Sequence, residues 1–280
     1  MNLLKLLAAL FMLLDHIGFY YYDVLPDLAV MVLRLIGRLA FPIFAWSVAR
    51  GFTRTHNLVA YFVRMAGFAL IAEVIIRLAD HLVGLQMEWT NVLVTFTLAI
   101  VALTGYRLIR DASHDVVASL RPIPAAPNTL PVRPHFNVRI SLGGITLDAR
   151  LGFVLGAVAV LLSLAAAEWL HADYGAYGVL TVLCLYIATD RIPEEKWEQR
   201  AFMIVLPLNL VFLFTRTVTG EVPLYWALMQ IFSVMAIPLM INFRREKRPP
   251  TWLKYGFYLF YPLHILALCA IRLALFGPIN

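Results

Sequence analysis

The chain has 280 residues, of which 61% are hydrophobic and only 14% charged, with a formal net charge of +6 and a mean hydropathy of +0.79. Soluble domains run near half apolar and a quarter charged, so one water-soluble core cannot hide this much apolar surface and a bilayer must serve as part of the solvent. The basic residues sit between apolar runs, where the positive-inside rule already requires them, and no basic face with interleaved aromatics offers itself to nucleic acid.

The N-terminal run MNLLKLLAALFMLL places a lysine before an apolar stretch, as a signal peptide does. It then continues through Asp15-His16 into FYYY without a small-x-small cleavage site, so it reads as the first span. Apolar segments long enough to cross a bilayer fall at 3–22, 29–49, 59–80, 90–110, 151–170, 174–190, 201–217, 223–242 and 254–275. The seventh is the weakest, being short and containing Pro207 and Asn209. Continuous runs of this length exclude barrel strands, which leaves an all-α polytopic membrane protein of about nine transmembrane helices.

The loops alternate in charge. The second carries Arg50, Arg54 and His56, the fourth six arginines from Arg107 to Arg150, and the eighth Arg244, Arg245, Lys247, Arg248 and Lys254. The first, third and fifth carry Asp23 and Asp27, Asp80, His81 and Glu88, and Glu168 and Asp173, while the sixth mixes Arg191, Lys196 and Arg200 with three glutamates and the seventh has Arg216 and Glu221. Even loops therefore face the cytoplasm, the N-terminus lies inside and the C-terminus outside, as for a multi-pass protein of a bacterial inner membrane. The fourth loop, 111–150, is a cytoplasmic insertion. Its first part, RPIPAAPNTLPVRP, reads as extended, and its second, FNVRISLGGITLDAR, alternates around Gly143-Gly144 as a β-hairpin does. Cys184 and Cys269 read as small buried hydrophobes, and no Cys/His spacing suggests a metal site.

Ionisable groups in hydrocarbon are costly and mark a functional site or a compensated pair. Here they are Asp15 and His16 in span 1, Arg34 and Arg38 in span 2, Glu73 and Arg77 in span 3 and His264 in span 9, with Asn91 opening span 4. At a rise of about 1.5 Å per residue, His16 and Glu73 lie roughly 20 Å above the cytoplasmic surface, His264 about 15 Å above it, and Arg34 and Arg38 roughly 8 and 14 Å below the outer one. Such convergence suits a shared polar cavity. A histidine can take a proton near neutral pH, and an arginine can hold a developing oxyanion where the dielectric is low. The alternative is structural, an arginine neutralising Asp15 or Glu73. Asp15 and His16 diverge by about 100° on a helix, so Asp15 is expected to meet an arginine of span 2 while His16 faces a substrate.

At these residues the chain resembles the TraX family, membrane proteins associated with N-terminal acetylation of conjugative pilin. The resemblance rests on KLLAALFMLLDHIG at 5–18, LRLIGRLAFPIFAWSVARGFTRTHN at 33–57 and YFVRMAGFALIAEV at 61–74, followed by NVLVTF at 91–96, DYGAYGVL at 173–180 and KYGFYLFYPLHILAL at 254–268. It implies one transmembrane acyltransferase-like domain over 1–280, with acetyl-CoA as donor, no metal, and a membrane-associated acceptor such as a pilin's N-terminal amine. His16 would be the base, with Asp15, Arg34, Arg38, Glu73 and His264 completing the catalytic set. The donor's phosphates would meet Arg50, Arg54, Arg64, Asn91, Arg244, Arg245 and Lys254. Family members often carry an acidic residue and an Asn-Gly element where this chain has Ala49-Arg50 and Asn242-Phe243, a departure that touches donor binding. Two other functions use the same residues: acylation of a cell-envelope sugar, and proton-coupled transport of a small solute. Against transport, no pair of similarly broken spans recurs in two halves.

Overall fold

A computed structural model describes residues 2–119, 139–142, 145–220, 224–243 and 250–279. Helices α1 (Asn2–Tyr20), α2 (Asp27–Gly37), α3 (Ala40–Arg54), α4 (Leu58–Leu82) and α5 (Val92–Ser119) precede a short strand pair. Helices α6 (Ala149–Trp169), α7 (Gly175–Thr189), α8 (Trp197–Val218), α9 (Leu224–Ile231), α10 (Ala236–Asn242) and α11 (Thr251–Leu275) follow it. The polarity pattern is that of a protein in lipid. Leu70 and Leu161 are 71% and 65% exposed, whereas Thr95 and Asn209 are 0% and 1% exposed. Apolar side chains face outward and polar ones inward, the reverse of a soluble domain.

Seven stretches among the described residues are long and apolar enough to cross a membrane: Leu3–Tyr20, Asp27–Arg54, Leu58–Leu82, Val92–Ser113, Ala149–Trp169, Glu194–Val218 and Tyr255–Leu275. Nine were expected. The segments expected at 174–190 and 223–242 hold shorter apolar helices, Gly175–Thr189 and Leu228–Asn242. The first has 15 residues, a rise of about 22 Å against a hydrocarbon core of about 30 Å. The second is interrupted by a 3-10 turn at Phe232–Met235, between α9 and α10. The second crossing is also broken, between α2 and α3, where Leu39 N–H bonds three residues back to Ile36 O. Arg38 sits in that break.

In the insertion, β1 (Arg139–Leu142) and β2 (Ile145–Asp148) pair antiparallel with Arg139 opposite Asp148. The proline-rich stretch 121–134 and Gly143-Gly144 lie outside the described residues. Asp148 then caps α6, its carboxylate accepting from Arg150 N at 2.9 Å. Asn57 caps α4 in the same way through Ala60 N at 2.8 Å, satisfying a donor that the first helical turn leaves unpaired.

Helices α5 and α6 pack most closely at Gly105 and Gly156. A Cβ on either glycine would stand 2.6 or 2.5 Å from the other's carbonyl oxygen. Small residues allow this approach, which in lipid is a main source of helix association. At the far end of α1, the Arg272 guanidinium of α11 is 1% exposed and grips both oxygens of Asp23, at 2.8 and 2.6 Å. Ile279 N–H bonds to Val83 O at the end of α4. The C-terminal end therefore lies on the face opposite the start of α1.

Candidate active site

His16 projects from α1 and His264 from α11, and their rings meet edge to face with centroids 4.9 Å apart. His264 Nε2 stands 3.0 Å from His16 Nδ1. Each Nδ1 also lies 2.8 Å from a carbonyl one helical turn back, Met12 O for His16 and Phe260 O for His264. A carbonyl only accepts, so these partners assign the hydrogen to Nδ1 on both rings. His264 Nε2 then accepts, sharing the His16 Nδ1–H with Met12 O. The consequence is that His16 Nε2 keeps its lone pair, and among the described residues it has no hydrogen-bond partner. His264, 6% exposed, orients the pair; half-buried His16 presents the free base.

Asp15, the neighbour of His16, turns the other way. It receives Arg34 Nη1 at 2.6 Å and Arg38 Nη2 at 3.0 Å, with all three side chains between 15% and 18% exposed. One arginine was expected opposite Asp15, and the structure places two there. The approach depends on Gly37, where a Cβ would fall 2.3 Å from the Asp15 side chain, and on Gly18, where it would meet Arg34 Cγ at 3.2 Å. This ion triplet carries a net charge of +1.

Arg38 is held further by a chain of buried polar side chains that the sequence reading did not single out. Its Nη1 donates to Gln230 Oε1 at 3.4 Å, and Gln230 Nε2 donates to Tyr177 Oη at 3.1 Å. The Tyr177 hydroxyl donates to Asn209 Oδ1 at 3.0 Å, which also accepts from Ser233 Oγ at 3.1 Å. Gln230 stands just before the break between α9 and α10, and Ser233 lies within it. An amide inside an apolar run was the available signal, because hydrocarbon leaves such a group no partner but protein. Asp173 was missed as well. It lies in the loop between α6 and α7, pinned where its N–H bonds to Thr90 O and the Thr95 hydroxyl donates to its carbonyl. Burial pushes its carboxyl up to about 7, against the pull of Arg38 and Arg34 and with the help of Asp15.

Glu73 and Asn91 belong to a different construction. Glu73 accepts from Arg77 Nε at 2.8 Å, Asn91 N at 2.9 Å and Asn91 Nδ2 at 2.7 Å. Arg77 also donates to Met87 O and Trp89 O, and Asn91 to Ala69 O. Together they clamp the α4–α5 loop, and Asn91 spends its amide inward.

On the face that carries the start of α1, a cavity of about 410 Å³ opens between α1, α3, α4, α5 and α11. Its mouth is cationic, with Lys5, Arg50, Arg54 and Arg64, and its walls are aromatic. It ends at Met12 and Tyr261, one turn of α1 from His16 and one turn of α11 from His264. Three lining atoms, Ser47 Oγ, Arg50 Nε and Arg64 Nε, are buried without a hydrogen-bond partner among the described residues. The Arg50 guanidinium stacks over Trp46 and Trp197 at 5.7 and 4.8 Å. Of the other expected donor-binding residues, Arg244 and Arg245 lie outside the described residues, and Lys254 is described in its backbone alone.

The family model of TraX protein matches residues 1–272. The chain belongs to the TraX family. The matched span contains both histidines, the Asp15 triplet, the cavity and both broken helices. A similar curated protein is the probable fimbrial assembly protein FimC, serogroup H1, of Dichelobacter nodosus, 26% identical over 282 residues, covering 97% of this chain and 95% of that one. No solved structure matches the chain.

Proposed function

We propose that this TraX protein is a bacterial inner-membrane acetyltransferase of pilus or fimbria assembly, moving an acetyl group from cytoplasmic acetyl-CoA to the N-terminal amine of a pilin. The observation that carries the reading is the free Nε2 of His16, held one helical turn beyond the closed end of a cavity whose mouth is cationic. The family and the fimbrial relative supply the acceptor class.

The donor's phosphates pair with Arg50, Arg54 and Arg64; among the described residues the buried Nε atoms of Arg50 and Arg64 have no hydrogen-bond partner and call for an acceptor. Its apolar arm lies along the aromatic walls and points the thioester at Tyr261. The amine nitrogen attacks the acetyl carbon, and His16 Nε2 takes the proton that nitrogen loses. The C–S bond breaks, and the leaving thiolate receives that proton as the histidine returns to neutrality. Asp15, Arg34 and Arg38 are already bonded to one another. Their net positive charge, fixed at low dielectric, favours the transient oxyanion.

Thiol release from acetyl-CoA by the detergent-purified protein, with a pilin N-terminal peptide as acceptor, tests this. His16→Ala is expected to lose about 10²- to 10⁴-fold in rate while still binding acetyl-CoA. Near-normal turnover in that variant would overturn the assignment. Arg50→Gln and Arg64→Gln should instead raise the acetyl-CoA concentration needed for half-maximal rate and leave the limiting rate within a few-fold; an unchanged requirement in both removes the donor from this cavity.

A further inference from the structure

Tyr261 of α11 belongs to two neighbourhoods at once. It lines the donor cavity with Met12, Val92 and Leu93, and its ring packs against both histidines, with centroids 6.4 Å from His16 and 6.2 Å from His264. Its hydroxyl oxygen is fixed by the start of α5. Val92 N–H, which has no acceptor within its own helix, donates to Tyr261 Oη at 3.4 Å. Leu93 N–H beside it donates to Asn91 Oδ1 at 2.9 Å. The hydroxyl proton of Tyr261 is placed differently from those of other buried tyrosines. Tyr20 donates to Asp80 Oδ1 at 2.6 Å, Tyr21 to Leu268 O at 2.9 Å and Tyr61 to Val48 O at 3.3 Å. Tyr261, 8% exposed, has no acceptor for its proton among the described residues. A buried O–H is costly to leave unmatched, and such a group in a native protein calls for an acceptor from a ligand or water. The cavity that it borders is the one that takes the thioester.

We propose that Tyr261 is a catalytic residue whose O–H donates a hydrogen bond to the acetyl carbonyl oxygen, a proposal that rests on the acetyl-transfer reading. As the amine nitrogen attacks the carbon, the carbonyl π pair moves onto that oxygen. The bond from Tyr261 strengthens with the charge it meets, so it favours the transition state over the ground state. The tyrosine keeps its proton throughout. When the C=O bond re-forms, the C–S bond breaks and its electron pair leaves with sulfur, and the proton still passes from the amine to His16 to the thiolate. Val92 N–H draws electron density from the phenol oxygen and makes its O–H a better donor. Asp15, Arg34 and Arg38 supply fixed charge, whereas Tyr261 supplies the direct bond.

The test is Tyr261→Phe in the purified full-length protein, which keeps the ring and removes only the hydroxyl. Its limiting rate of thiol release from acetyl-CoA is expected to fall about 10²- to 10³-fold, as on loss of one oxyanion donor. Acetyl-CoA binding by calorimetry should stay within a few-fold. A second readout needs no turnover. Isotope-edited infrared spectra of acetyl-CoA labelled at its carbonyl carbon should place the bound C=O stretch of the wild type below that of a simple alkyl thioacetate in hydrocarbon. Tyr261→Phe should return the stretch toward the hydrocarbon value. A wild-type stretch already at that value overturns the proposal, even if the variant fails to fold. So does a rate in Tyr261→Phe within a few-fold of wild type, or a rate loss with no change in the stretch, which lost packing alone would give. The two readings also separate. A wild-type protein that binds acetyl-CoA with the lowered stretch but releases no thiol sinks acetyl transfer and leaves Tyr261 as a carbonyl-binding group. One that acetylates a pilin peptide equally well with or without the hydroxyl sinks the role of Tyr261 alone.

Discussion

The residues of the site differ in how far their neighbours commit them. Asp15 is wholly committed, because one of its oxygens holds Arg34 and the other Arg38, all three side chains being largely buried. Removing one partner of a buried ion pair typically costs about 3–5 kcal/mol. Asp15→Asn is therefore expected to lower the melting temperature of the solubilised protein sharply, and adding Arg34→Gln should recover part of the loss; a double variant no better than the single one would mean that charge is not the cause. Asp173 is the titrating member. With its carboxyl raised to about 7 from an ordinary value of 3.8, the fold favours the protonated form. The folded state thus binds more protons than the unfolded one between those values, and this group's contribution is fully present below 3.8 and lost as pH rises through about 7. Melting measured from pH 5 to 8 should show a decline that Asp173→Asn flattens; an identical slope in the variant would remove Asp173 as its source. The sequence made Asp15, His16, Arg34, Arg38 and His264 legible, because charge in an apolar run announces itself. Asp173 sat in a loop, where an acid needs no explanation, and only the folding of that loop onto Thr90 and Thr95 gives it buried neighbours.

Among the elements, two breaks and one crossing matter most. The break between α2 and α3 brings Arg38 to Asp15, and the break between α9 and α10 brings Gln230 to Arg38. Each break is followed by a proline, Pro42 or Pro238, that lacks the N–H for the carbonyl four residues back, Arg38 or Val234; a hydropathy scan averages over both and finds continuous spans. The signal lay in the position of a proline relative to the turn before it, where hydrogen bonds shift from four residues to three, and not in the mean hydropathy of the run. The crossing of α5 and α6 is different, since its glycines are visible but their pairing across 51 residues of chain is not. Gly105→Ala and Gly156→Ala should each destabilise, because the opposing atom is a backbone carbonyl that cannot rotate away. Overpacking of this kind costs about 1–3 kcal/mol. A thermal melt monitored by size exclusion would register it, and an unchanged midpoint in both variants would mean that the helices separate freely there. Gly37→Ala should be worse, as it meets the Asp15 carboxylate and disturbs the site as well as the packing.

At the scale of the molecule, the two ends of the chain lie on opposite faces whichever count of crossings is adopted, because seven and nine are both odd. The geometry carries this independently of hydropathy. The start of α1 is at the mouth of the cationic cavity through Lys5, whereas Ile279 is hydrogen-bonded to Val83 at the far end of α4, and Arg272 to Asp23 beyond the end of α1. The charges fall the same way. Arg50, Arg54 and Arg64 lie on the first face, and Asp23, Glu168 and Asp173 on the second or sunk from it. The positive-inside rule then makes the cavity face cytoplasmic, which is where acetyl-CoA is. A phosphatase reporter, active only after export, should therefore work when fused after Asn280 and fail when fused after Thr55 in the α3–α4 turn. A fluorescent reporter that folds only in the cytoplasm should give the reverse. Cytoplasmic activity after Asn280 would put both ends on one side, which the Val83 and Asp23 contacts forbid. Phosphatase activity after Thr55 would invert the molecule, setting the arginine-lined cavity outside and separating it from the donor we propose. Either result would break the link between charge, topology and chemistry on which the functional proposal depends, even with every distance in the site unchanged.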